Sequence, residues 1–341
     1  MKSVLFFSFL VFILACAPKK KDDNLLKRQF ANSENLSIEI LDQEALDIID
    51  PLSQIEILAS GFKWTEGPLW VDKESFLLFS DIPNNKVYKL DARGDTSTYL
   101  YPSGTTDTID NNEPGSNGLL LSLENELILM QHGDRRLVKM AASLANPREK
   151  YLPLADNYQG KKLNSPNDGI IDKQGNIYFT DPPYGLPENM NDQNKELPFQ
   201  GVYCLLKNGA LILLDTLSYP NGIGLSPDGT KLYVAVSDPQ HAVWYQYTIE
   251  SPGKTSGKKI FYDATSLVDK HGYQGLPDGL AVNAKGYIFA TGPGGVWIFN
   301  SEAKPLARVL TGQLTSNCAL GKNEKQLFMT ADDYILSLTL K

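Results

Sequence analysis

Residues 65–81 read TEGPLWVDKESFLLFSD: an acidic residue before a glycine, a strand-length apolar run, a turn, and a second apolar run that stops on an aspartate. The phrase returns five times. The copies are SNGLLLSLENELILMQH (116–132), PNDGIIDKQGNIYFTD (166–181), PNGIGLSPDGTKLYVAVSD (220–238), PDGLAVNAKGYIFATG (277–292) and SNCALGKNEKQLFMTAD (316–332). Their leading polar residues are Glu66, Asn117, Asn167, Asn221, Asp278 and Asn317, at intervals of 51, 50, 54, 57 and 39 residues. Hairpins repeated at that period are the mark of propeller blades. Turn signals such as Asp172-Lys173-Gln174-Gly175 join the first two strands of a copy, and third strands follow, as in NKVYKLD, GVYCLLK, HAVWYQYTI and GVWIFN.

The sequence therefore predicts an all-β fold, a six-bladed β-propeller over residues 51–341. The last copy runs into DYILSLTLK at the C-terminus and lacks an outer strand, whereas SQIEILAS (53–60) precedes the first copy without belonging to it. This N-terminal strand is expected to complete the last blade and close the ring, which removes the open sheet edge. The 27 Gly, 20 Pro, 16 Tyr and 14 Phe punctuate short runs of Val, Ile and Leu and argue against an all-helical chain. A formal net charge of −8 leaves no basic stripe to neutralise phosphates, which argues against a nucleic-acid partner.

The segment before the propeller reads as an address. MKSVLFFSFLVFILAC carries one Lys and an apolar run too short to span a bilayer comfortably, the pattern of a signal peptide over 1–15. Ile13-Leu14-Ala15-Cys16 resembles the lipobox of bacterial lipoproteins, so Cys16 is expected to carry the lipid. Residues 16–50 are polar and aperiodic, and read as a tether with little fixed structure. The expectation is an exported monomer, a periplasmic or cell-surface lipoprotein held to a bacterial membrane. Cys204 and Cys318 lie inside apolar runs and read as buried small hydrophobes rather than a disulfide.

In a propeller the first strand of each blade lines the central channel, so the six leading residues should converge at the top of the axis. Two of them are carboxylates and four are carboxamides. Such a cluster in a poorly solvated tunnel calls for a cation. Oxygen donors without thiolate or imidazole favour Ca²⁺, with Mg²⁺, Mn²⁺ or Zn²⁺ as alternatives, although a Cys/His zinc site is unsupported. Asn or Asp before Gly also serves simply to turn the chain. That explanation does not extend to Glu66.

With WTEGPLW, LLFSDIPNNKVYKLD, SNGLLL, QHGDRRL, LNSPNDGIIDKQGNIYFTDPPYG, YPNGIGLSPDG, LPDGLAV and SNCALG in order, the chain resembles the gluconolactonase and regucalcin (senescence marker protein) family of calcium-dependent propeller lactonases. The resemblance covers most of residues 55–340. It implies a cation held by Glu66, Asn221 and Asp278, with Asn167 beside it as ligand or substrate contact. The animal regucalcins carry an Arg two residues before that Asn; here the position is Ser165, so their sugar recognition does not transfer.

The resemblance implies hydrolysis of a small lactone, a sugar lactone such as glucono-1,5-lactone, by metal-polarised carbonyl and water attack. There is no G-x-S-x-G elbow to supply a serine nucleophile. Two residues compete as the base: Asp278, at the metal, and His132, which ends a second strand on the same face. Asn117, Asp181 and Tyr184 are expected to contact substrate, the last two at the mouth of a long polar insertion, PENMNDQNKELPFQ. Alternatives are an aryl esterase or phosphotriesterase like the paraoxonases and diisopropylfluorophosphatase, or a non-catalytic binding propeller with a structural cation and a plugged channel.

Overall fold

The computed structural model describes residues 36–106, 113–270 and 272–341. Six antiparallel sheets repeat one plan. In blade 1 the strands Thr65–Val71, Phe76–Asp81, Lys86–Leu90 and Thr96–Leu100 lie in that order from inner to outer. Blade 2 runs from Ser116–Leu121 to Tyr151–Ala155, blade 3 from Gly169–Ile171 to Leu211–Thr216 and blade 4 from Pro220–Leu225 to Lys254–Asp263. A two-stranded ribbon, Asn157–Tyr158 with Lys161–Lys162, sits between blades 2 and 3 in sequence. The all-β, six-bladed expectation holds.

Ring closure follows the expected route. Ile55–Ser60 forms the outer strand of blade 6 and pairs with Tyr334–Thr339, Ile55 opposite Leu338 and Ser60 opposite Tyr334. Thr65 seals the same seam, its Oγ1 donating to the carbonyls of Asp332 at 2.9 Å and Tyr334 at 3.1 Å. Apolar strand residues then fill the wedges between blades. Leu78, Leu129 and Val138 are fully buried in one cluster, and Met130, Leu137, Phe179 and Tyr203 in another. Full burial of each such side chain is worth about 1.5–3 kcal/mol.

One boundary moves. Ser37–Ile40, placed by the sequence in the tether, pairs with Pro305–Leu310 as a fifth strand on blade 5. A 3₁₀ turn, Gln43–Asp47, follows, capped by Asp42, which accepts the Glu44 amide at 2.9 Å. Ala45, Ile48 and Ile49 are buried in the core shared with blades 5 and 6. Ile38 and Ile40, alternating along the strand, pack against that core, which fixes a segment too short to announce itself. The ordered propeller thus reaches back to residue 37 rather than 51. The expected signal peptide and Cys16 lie outside the described residues.

Two details of the inner strands prepare the axis. Ladder register breaks beside Glu66, between Ser116 and Leu119, between Pro220 and Ile223, and before Asn317. Such irregularities re-aim a side chain out of the pleat. Asn167 and Asp278 instead precede strands that begin at Gly169 and Leu280. The glycine after a leading residue allows neighbouring blades to touch: a Cβ on Gly67 would lie 2.2 Å from the Asn117 carbonyl oxygen, and one on Gly222 2.1 Å from that of Asp278.

Candidate active site

A cavity of about 660 Å³ opens at the axis. Glu66, Asn117, Asn167, Asn221 and Asp278 line it, so five of the six leading residues converge there. Each of the first four is 2–4% exposed. The sixth, Asn317, stands behind them and donates from Nδ2 to Glu66 Oε2 at 3.2 Å and to Asp168 Oδ2 at 3.4 Å. Its role is to hold the acids.

The floor has too many acceptors. Oδ1 of Asn117, Oδ1 of Asn221 and Oδ1 of Asp278 are buried without a hydrogen-bond partner among the described residues. Asn221 is oriented through Nδ2, which donates to Ser237 Oγ at 2.9 Å, and that hydroxyl donates to the Pro277 carbonyl at 2.6 Å. Burial pushes the Glu66 carboxyl up to about 8, offset in part by the Gly67 amide, and the Asp168 charge adds to the rise. Asp278 is driven well above the carboxylate range by burial first and then by Glu66, Asp168 and Glu113. Asp168, with Oδ1 on the Gly169 amide, is raised by burial to about 6.

Around this floor stand five cavity-lining carboxylates, Glu66, Glu113, Asp238, Asp269 and Asp278, and among the described residues no Lys or Arg lines the space. Among the described residues, no trio of His, Cys, Asp and Glu is placed to hold a metal alone. A cation in this cavity would therefore depend on carboxamide oxygens. Trp64, Ile82, Leu276 and Leu314 give the cavity an apolar side. Tyr184 lines it too, stacked on Tyr219 with centroids 5.9 Å apart, its phenol raised by burial.

Two expected site residues are elsewhere. His132 is fully buried and is not part of the cavity wall; its Nδ1 lies 2.8 Å from Oε2 of Glu113, which is. The Tyr184–Gly185 corner covers it, since a Cβ on Gly185 would come within 2.8 Å of the His132 Cβ. Asp181 is likewise buried away from the cavity. Its Oδ2 accepts the Asn164 amide at 2.8 Å, and burial lifts it to about 7 against the pull of Asn164, Ser165 and Arg135. Asp81 does the same work in blade 1, accepting from the Lys63 and Trp64 amides and from Asn84 Nδ2. These strand-end aspartates fasten the loops that lead into the inner strands.

The insertion after Tyr184 contributes no wall residue beyond that tyrosine. Arg135 ties it down by donating to the carbonyls of Leu163, Asn164 and Asn194. Cys204 and Cys318 are free and buried. Glu113 and Asp168 escaped the sequence reading. Asp168 follows Asn167 directly in PNDG and was masked by it; Glu113 stands in the polar run DNNEPGS, outside every copy of the repeat.

Fold and site together define a six-bladed propeller with its reaction chamber on the axis, floored by carboxylates and carboxamides. Residues 64–333 match the SMP-30/Gluconolactonase/LRE-like region. A gluconolactonase of Zymomonas mobilis is 37% identical over 300 residues, 86% of this chain and 83% of that protein. The solved structure of a Xanthomonas campestris gluconolactonase superposes with a TM-score of 0.78 at 27% identity, covering 89% of this chain and 95% of that one. An Agrobacterium tumefaciens regucalcin, a calcium-binding protein, shares the fold at 17% identity and a TM-score of 0.65, over 84% of this chain and 94% of that one.

The chain belongs to the SMP-30/gluconolactonase family. It is a lactone-hydrolysing enzyme acting on carboxylic ester bonds.

Proposed function

We propose that the substrate is a sugar lactone, hydrolysed over a divalent cation, Ca²⁺ by preference, held by Glu66, Asn167, Asn221 and Asp278. The observation that carries this reading is the pair of buried acceptor oxygens, Oδ1 of Asn221 and Oδ1 of Asp278, without partners in a cavity with five carboxylates and no Lys or Arg among its described lining residues. Uncompensated acceptors of that kind are costly unless a hard cation meets them. When bound, such an ion would polarise the lactone carbonyl and acidify a water.

The residues then divide the work. The Asp278 carboxylate takes a proton from the attacking water as the water oxygen bonds to the carbonyl carbon, and that proton passes to the ring oxygen as the carbon–oxygen bond breaks, giving a hydroxy acid. Asn117 fixes the substrate by its carboxamide, and Tyr184 with Tyr219 supplies an aromatic wall for the sugar's C–H face. The volume of the cavity weighs against a plugged channel with a purely structural ion.

The test is a pH-stat assay of residues 36–341 against glucono-1,5-lactone, phenyl acetate and a phosphotriester, with and without chelator. Lactone turnover that disappears with chelation and returns with Ca²⁺ is expected. Turnover that ignores chelation refutes the cation; preference for the aryl ester or phosphotriester refutes the sugar lactone.

A further inference from the structure

Glu113 differs from the other acids of the cavity. Glu66 is buried in the floor, Asp278 is half-buried there with its Oδ1 enclosed, Asp269 is exposed, and Asp238 caps its own turn by accepting the Gln240 amide at 2.9 Å. Glu113 lines the cavity with its side chain about a third exposed, and is held from behind by a side chain of a different strand end. That support is His132, at 0% exposure.

The imidazole is itself oriented by circumstance. Its Nε2 is buried with no partner among the described residues, so the proton belongs on Nδ1, where it is donated to Glu113 Oε2 over 2.8 Å. A buried donor thus fixes a carboxylate at the rim of a site whose floor is already supplied with acids. Glu113 lines the same cavity as Glu66, Asp278 and the Tyr184–Tyr219 pair. A carboxylate so placed is an acceptor for hydroxyl groups on a ring seated over the floor.

We propose that Glu113 is a specificity-determining residue that accepts hydrogen bonds from the hydroxyls of the substrate ring, and that His132 is its positioning residue. The assignment rests on the sugar-lactone reading. It also gives His132 a role other than that of a base: the imidazole sets the carboxylate and never meets the reacting atoms. An anchored charged acceptor discriminates well between a ring that carries hydroxyls and one that does not, because the unhydroxylated ring displaces water from the exposed edge of the carboxylate and returns no hydrogen bond.

The experiment measures kcat/KM for glucono-1,5-lactone and for δ-valerolactone, the same ring without hydroxyls, and takes their ratio. The wild type favours the hydroxylated ring. Glu113→Gln lowers the ratio by about ten- to a hundred-fold, the range for a hydrogen bond to a charged group. His132→Phe lowers it in the same direction with a rise in KM for the sugar lactone, and His132→Gln, which restores an N–H donor, recovers part of it. The ratio is insensitive to partial misfolding, which depresses both substrates alike.

A wild type without preference for hydroxyls refutes the sugar-lactone reading. A wild type with that preference whose Glu113→Gln variant keeps the full ratio refutes the assignment of Glu113 alone. Loss of bound Ca²⁺ from Glu113→Gln also overturns it, since the residue would then be holding the ion. An unchanged ratio in His132→Phe removes the positioning role.

Discussion

Asn317 donates from Nδ2 to Glu66 Oε2 at 3.2 Å, joining the inner strand of the last blade to that of the first across 251 positions of sequence. The same amide reaches Asp168 Oδ2 at 3.4 Å. One carboxamide thus restrains two buried acids without touching the cavity.

Asn317→Ala should therefore loosen Glu66 while leaving the fold in place. Groups that orient a ligand are typically worth ten- to a hundred-fold in metal affinity. Titration calorimetry with Ca²⁺ is expected to show a loss of that order, with the thermal midpoint of the cation-free protein little altered. An unchanged affinity would mean that Glu66 is held well enough by the Gly67 amide, 2.8 Å away.

The cation-free protein should lose stability as pH rises. Glu66 titrates near 8 in the fold against 4.5 when unfolded, and Asp168 near 6 against 3.8. Both shifts are upward, so the folded state retains protons that the unfolded chain releases, and stability falls as pH rises from 3.8 to about 8. Saturating Ca²⁺ should flatten this slope by stabilising the ionised acids. Thermal melts from pH 5 to 8, with and without chelator, measure both effects, and a chelated protein with a flat profile contradicts the argument.

Asp278→Asn removes the group proposed to take the water's proton and one acidic ligand together. At cation concentrations high enough to saturate the variant, kcat should still fall by about a hundred-fold or more, the usual contribution of a positioned base. Recovery of turnover at high Ca²⁺ would make Asp278 a ligand only.

Truncation separates the two N-terminal strands. A chain starting at residue 50 keeps Ile55–Ser60 and a closed ring, but loses Ile48 and Ile49 from the core, about 3–6 kcal/mol. It also strips Glu39 from Arg308, whose guanidinium is stacked 3.9 Å over Tyr273. It should fold with a lower melting temperature. A chain starting at residue 62 leaves Tyr334–Thr339 as an open edge and should aggregate; a soluble, cooperative melt from it would refute the closure argument.

The ring and its axial residues were readable in the sequence because each copy sets a polar residue, in four of the six directly before a glycine, ahead of two strand-length apolar runs, a signal repeated often enough to outweigh local accident. What was hidden is what depends on distant partners. SIEI carries two isoleucines and no turn of its own, and becomes a strand only because Pro305–Leu310 offers an edge. His132 ends its strand on the expected face, but the Tyr184–Gly185 corner from the next blade roofs it over. Glu113 stands in a polar loop with nothing to distinguish it until His132 is seen behind it.

The seam between Ile55–Ser60 and Tyr334–Thr339 has a consequence for how the protein is born. A ribosome delivers residue 60 long before residue 339, so Ile55–Ser60 cannot be locked to its partner until the sixth blade has been made. Glu66 waits equally long for Asn317. The nascent chain must accumulate five blades before the ring can close, and the axial chamber is complete only when the sixth has joined them.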